Sequence, residues 1–132
     1  MKRSTSSGAV WLLVLLVAAH SAHAAYEEIL NIQAAPIPSG LTPQQVEVAI
    51  TNGGAQRGWV VERVAPGHVL ATLNIRRHTV WADIRYGPSS YSITYKDSAN
   101  IKFRKGKIHG AYNKWIRNLN ADIQQALQLI SL

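Results

Sequence analysis

The sequence has no cysteine among its 132 residues. This absence excludes a disulfide framework, a thiolate metal site, a cysteine nucleophile and a lipid attached to cysteine. Acidic residues are few, with 7 Asp and Glu against 14 Lys and Arg, so the formal net charge is +7. Internal repeats, heptads and low-complexity tracts are also absent. The length suits one domain, and the composition is that of a globular protein.

No apolar run is long enough to span a bilayer, but a shorter one lies near the N-terminus. Lys2 and Arg3 precede 11 apolar residues at positions 9–19, whereas a membrane span needs about 20. An A-x-A sequence ending at Ala24 follows. This pattern predicts a secretory signal peptide, residues 1–24, cleaved after Ala24. An uncleaved membrane anchor is the alternative, and the short run disfavours it. We therefore expect a periplasmic or secreted protein.

The mature chain is expected to remain basic. Loss of Lys2 and Arg3 leaves 12 basic and 7 acidic residues, a net charge of +5. A basic exported protein meets anionic lipid head groups, anionic polysaccharides and acidic envelope proteins, whereas nucleic acid is rarely available there. We expect partners of those kinds and no nucleic acid. The alternative is that the charge only keeps a small domain soluble.

Two short segments precede the β-rich part of the chain. Residues 25–40 contain prolines that favour an extended path, which predicts either a tether or an arm lying at an edge. A helix is predicted next, because Thr42 suits the N-cap, Pro43 the first helical position and Gln45 the capping box. Residues 52–54, Asn-Gly-Gly, are predicted to end this helix, since glycine accepts a left-handed turn.

The apolar pattern then changes to a period of two, which is typical of strands. Four strands are predicted, at residues 57–64, 68–76, 78–86 and 91–96. Their short connections favour an antiparallel meander. Residues 101–104 are a candidate for a fifth, edge strand. Such an edge would offer a protein partner a place to add a strand of its own.

The last segment of the chain is the one around which the fold is organised. Apolar residues recur every three or four positions across residues 108–132 and form one stripe on an α-helix, which includes Tyr112 and Trp115. The meander supplies the apolar face that this stripe can bury. We predict a single two-layer α+β domain over residues 41–132. In it, a four- to five-stranded antiparallel meander carries a short N-terminal helix and a long C-terminal helix on one face.

Three strings in the chain carry a resemblance to a known family. They are residues 57–59 (R-G-W), residues 91–98 (Y-S-I-T-Y-K-D-S) and residues 108–115 (I-H-G-A-Y-N-K-W). In them the chain resembles a family of small exported proteobacterial proteins, many of which look like lipoproteins, over about residues 41–130. The resemblance implies an exported α+β domain and carries no activity. The lack of a cysteine at the signal boundary departs from the lipoprotein-like members and favours a soluble periplasmic location.

The histidines and carboxylates form no catalytic motif. His68, His78 and His109 lack the i, i+4 spacing of a helical zinc site, and neither a G-x-S-x-G nor a phosphate-loop motif occurs. A hydrolase would have to bring His109 or His78 together with Asp83 or Asp97. We therefore expect a binding or envelope-accessory protein, without catalytic residues, metal or cofactor.

A cluster of basic residues surrounds the start of the predicted last helix. Helix N-termini carry partial positive charge, so cations there are unfavourable unless an anion completes the site. The cluster is predicted to bind phosphate, a lipid head group or an acidic partner. The alternative is a solvated hairpin whose lysines point away. Its members are Lys102, Arg104, Lys105, Lys107, His109 and Lys114.

The sheet face away from the helices is a second candidate surface. Strand alternation predicts that it exposes Trp81 among polar residues, which is typical of a contact surface. Asp83, Arg85 and Arg76 are expected beside this tryptophan. Two alternatives remain open. The face could be ordinarily solvated, with Asp83 offsetting an arginine across strands, or residues 29–32 of the arm could cover Trp81.

Overall fold

The computed structural model describes residues 26–132, which form two helices and eight strands. The predicted signal peptide, residues 1–24, lies outside the described residues. Neither described helix combines the length and apolar character that crossing a lipid bilayer requires. The elements in chain order are β1 (Tyr26–Glu28), β2 (Ile32–Pro36), α1 (Pro43–Ala55), β3 (Trp59–Ala65), β4 (His68–Ile75), β5 (His78–Tyr86), β6 (Ser90–Ala99), β7 (Phe103–Arg104), β8 (Lys107–His109) and α2 (Gly110–Ile130).

The strands form two antiparallel sheets. The larger sheet has the order β2-β6-β5-β4-β3, and the smaller one has the order β1-β8-β7. Strands β3 to β6 are joined by short turns and make the predicted meander. Helices α1 and α2 pack against each other and share one core with the same face of that meander. The predicted two-layer α+β fold is confirmed.

The core lies between the meander and the two helices. Alternate residues of β4 and β5 are buried, as a period of two requires for a sheet covered on one face. Burying one such apolar side chain is worth about 1.5–3 kcal/mol relative to leaving it exposed. The predicted stripe of α2 meets this face and is buried along its centre, whereas Trp115 at its margin is half-buried. Its buried apolar members are Tyr112, Ile116, Leu119, Ile123 and Leu127.

The second strand of the N-terminal arm, β2, is part of the larger sheet. Ile32 lies opposite Ile93 and Ala35 lies opposite Tyr91, so β2 is the edge strand next to β6. Of the two predicted roles for the arm, the edge-lying one is confirmed. The alternative in which residues 29–32 cover Trp81 is wrong, because their apolar side chains pack against the core on the helix-covered side of the sheet.

The predicted fifth strand, residues 101–104, does not join the larger sheet. Asn100 adopts a φ of +59° at the end of β6, and there the chain leaves the sheet. Only β7 is a strand within this segment, and it pairs with β8. Lys105 and Gly106 connect the two with φ values of +52° and +75°, the left-handed pair that a two-residue hairpin turn requires. The edge beside β6 is occupied by β2 instead.

Helix α1 begins as predicted and ends later. The side chain of Thr42 accepts the N–H of Gln45 at 3.1 Å, and the Gln45 side chain accepts the N–H of Thr42 at 2.9 Å. This reciprocal pair confirms the capping box. The prediction that residues 52–54 end the helix is wrong, because α1 continues to Ala55.

Gly53 and Gly54 are buried inside α1, where it crosses α2. A Cβ atom built onto Gly53 would lie 2.7 Å from the Cα of Ile123 and 2.9 Å from the carbonyl oxygen of Asp122. No side chain fits between the two helix backbones at Gly53, which therefore permits close helix packing rather than a turn. A Cβ atom on Gly54 would instead lie 2.9 Å from Cγ2 of Val61 on β3.

We expect Gly53→Ala to lower the free energy of unfolding by about 2 kcal/mol, because the methyl group meets the backbone of α2. The loss should occur although alanine favours a helix by about 1 kcal/mol over glycine. Urea unfolding followed by circular dichroism measures it. Asn52→Ala, an exposed neighbour on α1, is the control and should not be less stable than the unmodified protein, since alanine also favours a helix over asparagine. Equal midpoints for the two variants would contradict the close crossing.

Tyr91 links the sheet to α2 through its hydroxyl group. Its side chain is 1% exposed. The hydroxyl donates to Asn120 Oδ1 at 2.5 Å and accepts from Gln124 Nε2 at 2.9 Å. Burial raises the pKa of Tyr91 to about 12 from its ordinary 10.0, because a phenolate is poorly solvated there.

This raised pKa makes stability depend on pH in the alkaline range. The neutral hydroxyl is favoured in the folded state, so its contribution is complete below pH 10 and is lost as the pH rises from 10 to 12. Tyr91→Phe should be less stable at pH 7 by about 1 kcal/mol, since two hydrogen bonds are lost. It should nevertheless decline less steeply between pH 10 and 12. Urea unfolding across this range tests the difference, and parallel declines would refute it.

Candidate functional site

Helix α2 begins at Gly110, two residues later than predicted, because the preceding residues pair with the arm. Tyr26 of β1 lies opposite His109 of β8, and Glu28 lies opposite Lys107. His109 is also the N-cap, since its Nδ1 accepts the N–H of Ala111 at 3.2 Å. With Nδ1 used as an acceptor, the proton of the neutral ring lies on Nε2, which is therefore a hydrogen-bond donor.

Asn113 holds the arm to the first turn of α2. Its side chain is 4% exposed and makes three hydrogen bonds. Oδ1 accepts the N–H of Leu30 at 2.9 Å, while Nδ2 donates to the carbonyl oxygen of Glu28 at 2.8 Å and to Glu27 Oε2 at 3.0 Å. This residue therefore fixes both the backbone path of the arm and the position of an acidic side chain.

The carboxylate of Glu27 lies over the start of α2. A Cβ atom built onto Gly110 would lie 2.8 Å from Glu27 Oε1. Negative charge at a helix N-terminus stabilises the helix by about 0.3–1 kcal/mol when exposed. An anion does complete the start of α2, as the helix terminus favours, but the arm of the chain itself supplies it.

The six predicted anion-binding residues separate into two groups. Lys102, His109 and Lys114 line one groove. The other three belong to the β7–β8 hairpin and line a smaller cavity of about 350 Å³. Tyr26 borders both sites. The hairpin group consists of Arg104, Lys105 and Lys107.

The larger site, which we call the basic groove, has a volume of about 660 Å³. It lies where the β4–β5 turn, the β6–β7 connection and the start of α2 meet. Each of these elements contributes one exposed cation, namely Arg76, Lys102 and Lys114. Within the described part of the chain, no acidic side chain lines the groove. The other lining residues are Tyr26, Ile75, His78, Asn100, Ile101, His109, Ala111 and Trp115.

Arg76 lines the groove because β4 ends one residue before it. Strand alternation predicted this side chain on the outer sheet face beside Trp81, and that prediction is wrong. A φ of +56° places Arg76 in the β4–β5 turn, where the strand alternation no longer applies.

His78 is held in the groove by the connection that follows β6. Its Nδ1–H donates to the carbonyl oxygen of Asn100, and Asn100 Nδ2 donates to the carbonyl oxygen of Arg77 at 3.0 Å. The imidazole ring lies 6.3 Å from the ring of Trp115 with an interplanar angle of 39°. These contacts fix the ring of His78 in one wall of the groove. Its Nε2 takes no part in the hydrogen bond to Asn100.

The outer sheet face has the composition that alternation predicted, apart from Arg76. Trp81 and Asp83 are half-buried and Arg85 is exposed. Asp83 does not offset an arginine across strands as expected. Its Oδ1 lies 2.7 Å from Nε2 of His68. This half-buried pair leaves Arg85 as the exposed cation beside it.

The groups that a hydrolase would need lie on opposite sides of the sheet. His78 is on the helix-covered side of β5, with Val80 and Ala82. Asp83 and Asp97 are on the outer face, where Asp97 lies opposite Trp81. Among residues 26–132, no three His, Asp or Glu side chains converge as a metal site would require. The geometry does not support the hydrolase alternative.

No protein-family model matches the chain, and no curated protein or solved structure gives a significant match. The geometry of the basic groove is therefore the basis on which a function can be assigned.

Sequence reasoning missed the contributions of Arg76 and His78 to the groove. One signal in the sequence could have found them. In an antiparallel meander, the turn between the second and third strands lies beside the end of the fourth. That rule brings residues 76–78 next to residues 99–102. It does not reveal Trp115, whose place depends on where α2 crosses the sheet.

We expect Asn113→Ala to lower the free energy of unfolding by about 3 kcal/mol, because the N–H of Leu30 and the carbonyl oxygen of Glu28 lose their partner. Hydrogen exchange at the Leu30 amide should also become faster. Asn118→Ala, at a half-buried position further along α2, is the matched control and should change stability by less than about 1 kcal/mol. Equal losses in both variants would show that the arm does not depend on this contact.

Proposed function

We propose that this protein is an exported, non-catalytic binding protein that holds an anionic ligand in the basic groove. The observation that supports this proposal is the convergence of Arg76, Lys102 and Lys114 from three separate elements. Cations gathered in one concavity repel one another and raise the local concentration of anions. The hydrogen-bond donor on Nε2 of His109 adds to this character.

The exported location rests on the N-terminal pattern of residues 1–24 and on the resemblance to small exported proteobacterial proteins. We propose that the protein belongs to that family and acts in the periplasm, where lipid head groups, phosphates and acidic envelope proteins occur. Guanidinium and ammonium groups are suited to phosphate and carboxylate oxygens. An anionic ligand of this kind fits both the location and the groove.

Thermal unfolding of the exported and processed protein in inorganic phosphate tests this function. At a concentration tenfold above its Kd, a ligand stabilises a protein by about 1.4 kcal/mol. For a domain of this size we expect a rise in Tm of about 6 °C. Sodium chloride at the same ionic strength separates binding from screening and should give a smaller shift.

Lys114→Gln should reduce the phosphate-dependent rise by at least half, because it removes one of the three groove cations. Arg117→Gln removes an exposed cation from the next turn of α2, outside the groove lining, and is the matched control. If neither phosphate nor another anion shifts the Tm, the anion-binding function is refuted.

A protein-partner role would then be the better account. β3 pairs only with β4 among the described strands and exposes Val60 and Val64 beside its open edge, whereas β7 has only two residues.

A further inference from the structure

The floor of the basic groove is apolar. Ile75, Ile101 and Trp115 all line it, and all three pack against the protein core while remaining half-buried. Ile84 and Ile93 in the core, by contrast, are completely covered. The accessible parts of Ile75, Ile101 and Trp115 therefore give the charged groove an apolar part of its lining.

The charges lie around this floor rather than on it. Arg76, Lys102 and Lys114 are exposed, whereas the apolar lining residues are half-buried. Long basic side chains keep their charged ends in water while their stems follow apolar surface. The groove thus combines a cationic rim with an apolar interior, and these two parts favour different portions of one ligand.

The volume of the groove exceeds what a small inorganic anion needs. At about 660 Å³, the groove is far larger than a single phosphate ion. Sites for small organic molecules span about 300–1,000 Å³ and are lined mostly by apolar side chains with a few polar groups that fix orientation. A phosphate alone would leave the floor in contact with water.

We infer that the ligand of the basic groove is a single amphipathic anion. Its phosphate or carboxylate head contacts the cationic rim, and its alkyl chain or aromatic ring covers Ile75, Ile101 and Trp115. This inference rests on the proposed anion-binding function and specifies its ligand class. Such a molecule can be a soluble metabolite or a lipid taken from the membrane, and the head and chain chemistry is common to both.

Isothermal titration calorimetry with methyl, butyl and octyl phosphate, each kept monomeric, tests the inference on the exported and processed protein. Burial of one methylene tightens binding by up to about fourfold, so octyl phosphate should bind at least about tenfold more tightly than methyl phosphate. Octanol should bind far more weakly than octyl phosphate, since it lacks the charged head.

Ile101→Gln should remove most of the chain-length gain, so that octyl phosphate binds this variant little more tightly than methyl phosphate does. Ile101 lies in a connection outside every helix and strand. Val64→Gln places the same change at an exposed site on β3 (57% exposed), is the matched control and should retain the gain. The series on the unmodified protein is informative even if Ile101→Gln fails to fold.

Each other outcome has a distinct meaning. Equal affinities along the series would overturn the amphipathic ligand while leaving the anion-binding function intact. No binding of any phosphate, together with no shift of the Tm by any other anion, would overturn both. Sedimentation with phosphatidylcholine vesicles, with and without 20% phosphatidylglycerol, adds the membrane arm. Binding to the anionic vesicles without binding to octyl phosphate would replace the single-molecule site with recognition of a membrane surface.

Discussion

Asn113 holds the first segment of the described chain against its last helix, and much of the architecture depends on that contact. The side chain replaces the water that the backbone of Leu30 and Glu28 would otherwise bind. Leaving such groups unpaired inside a protein costs about 1–3 kcal/mol each. With the arm fixed here, β1 can pair with β8 and β2 can close the edge of the sheet beside β6. The side-chain amide of Asn113 thus fixes the position of a strand in each of the two sheets.

The same contact determines the electrostatics near the basic groove. Glu27, placed by Asn113 over the start of α2, provides the negative charge that the helix terminus favours. Glu27 thus compensates the positive end of the helix, while no carboxylate of the described residues lines the groove beside its cations. Acidic residues among Arg76, Lys102 and Lys114 would reduce the repulsion between these cations and so favour stability. The described chain places its acids elsewhere, in pairs such as Glu47 with Arg63 and Asp122 with Arg57.

Local patterns predicted those parts of the fold that depend on local physics. The period of two gave the four meander strands, the period of three to four gave α2, and Thr42 with Gln45 gave the start of α1. Long-range contacts were not predictable in this way. Gly53 resembles a helix stop until Ile123 is known to lie against it. Likewise, Lys102, His109 and Lys114 were predicted to be neighbours and line one groove, but Arg76 joins them through a turn whose position depends on strand register.

The pairing of β1 with β8 and of β2 with β6 also has a consequence for the order in which the chain can fold. Tyr26 pairs with His109, and Ile32 pairs with Ile93, so the earliest strands find their partners only after most of the sequence has been made. Contacts that are distant in sequence make folding slow, because a large loop must close before they form. The amino-terminal strands therefore remain unpaired while synthesis is in progress. A chain built in this way completes its tertiary structure only when its final helix is present.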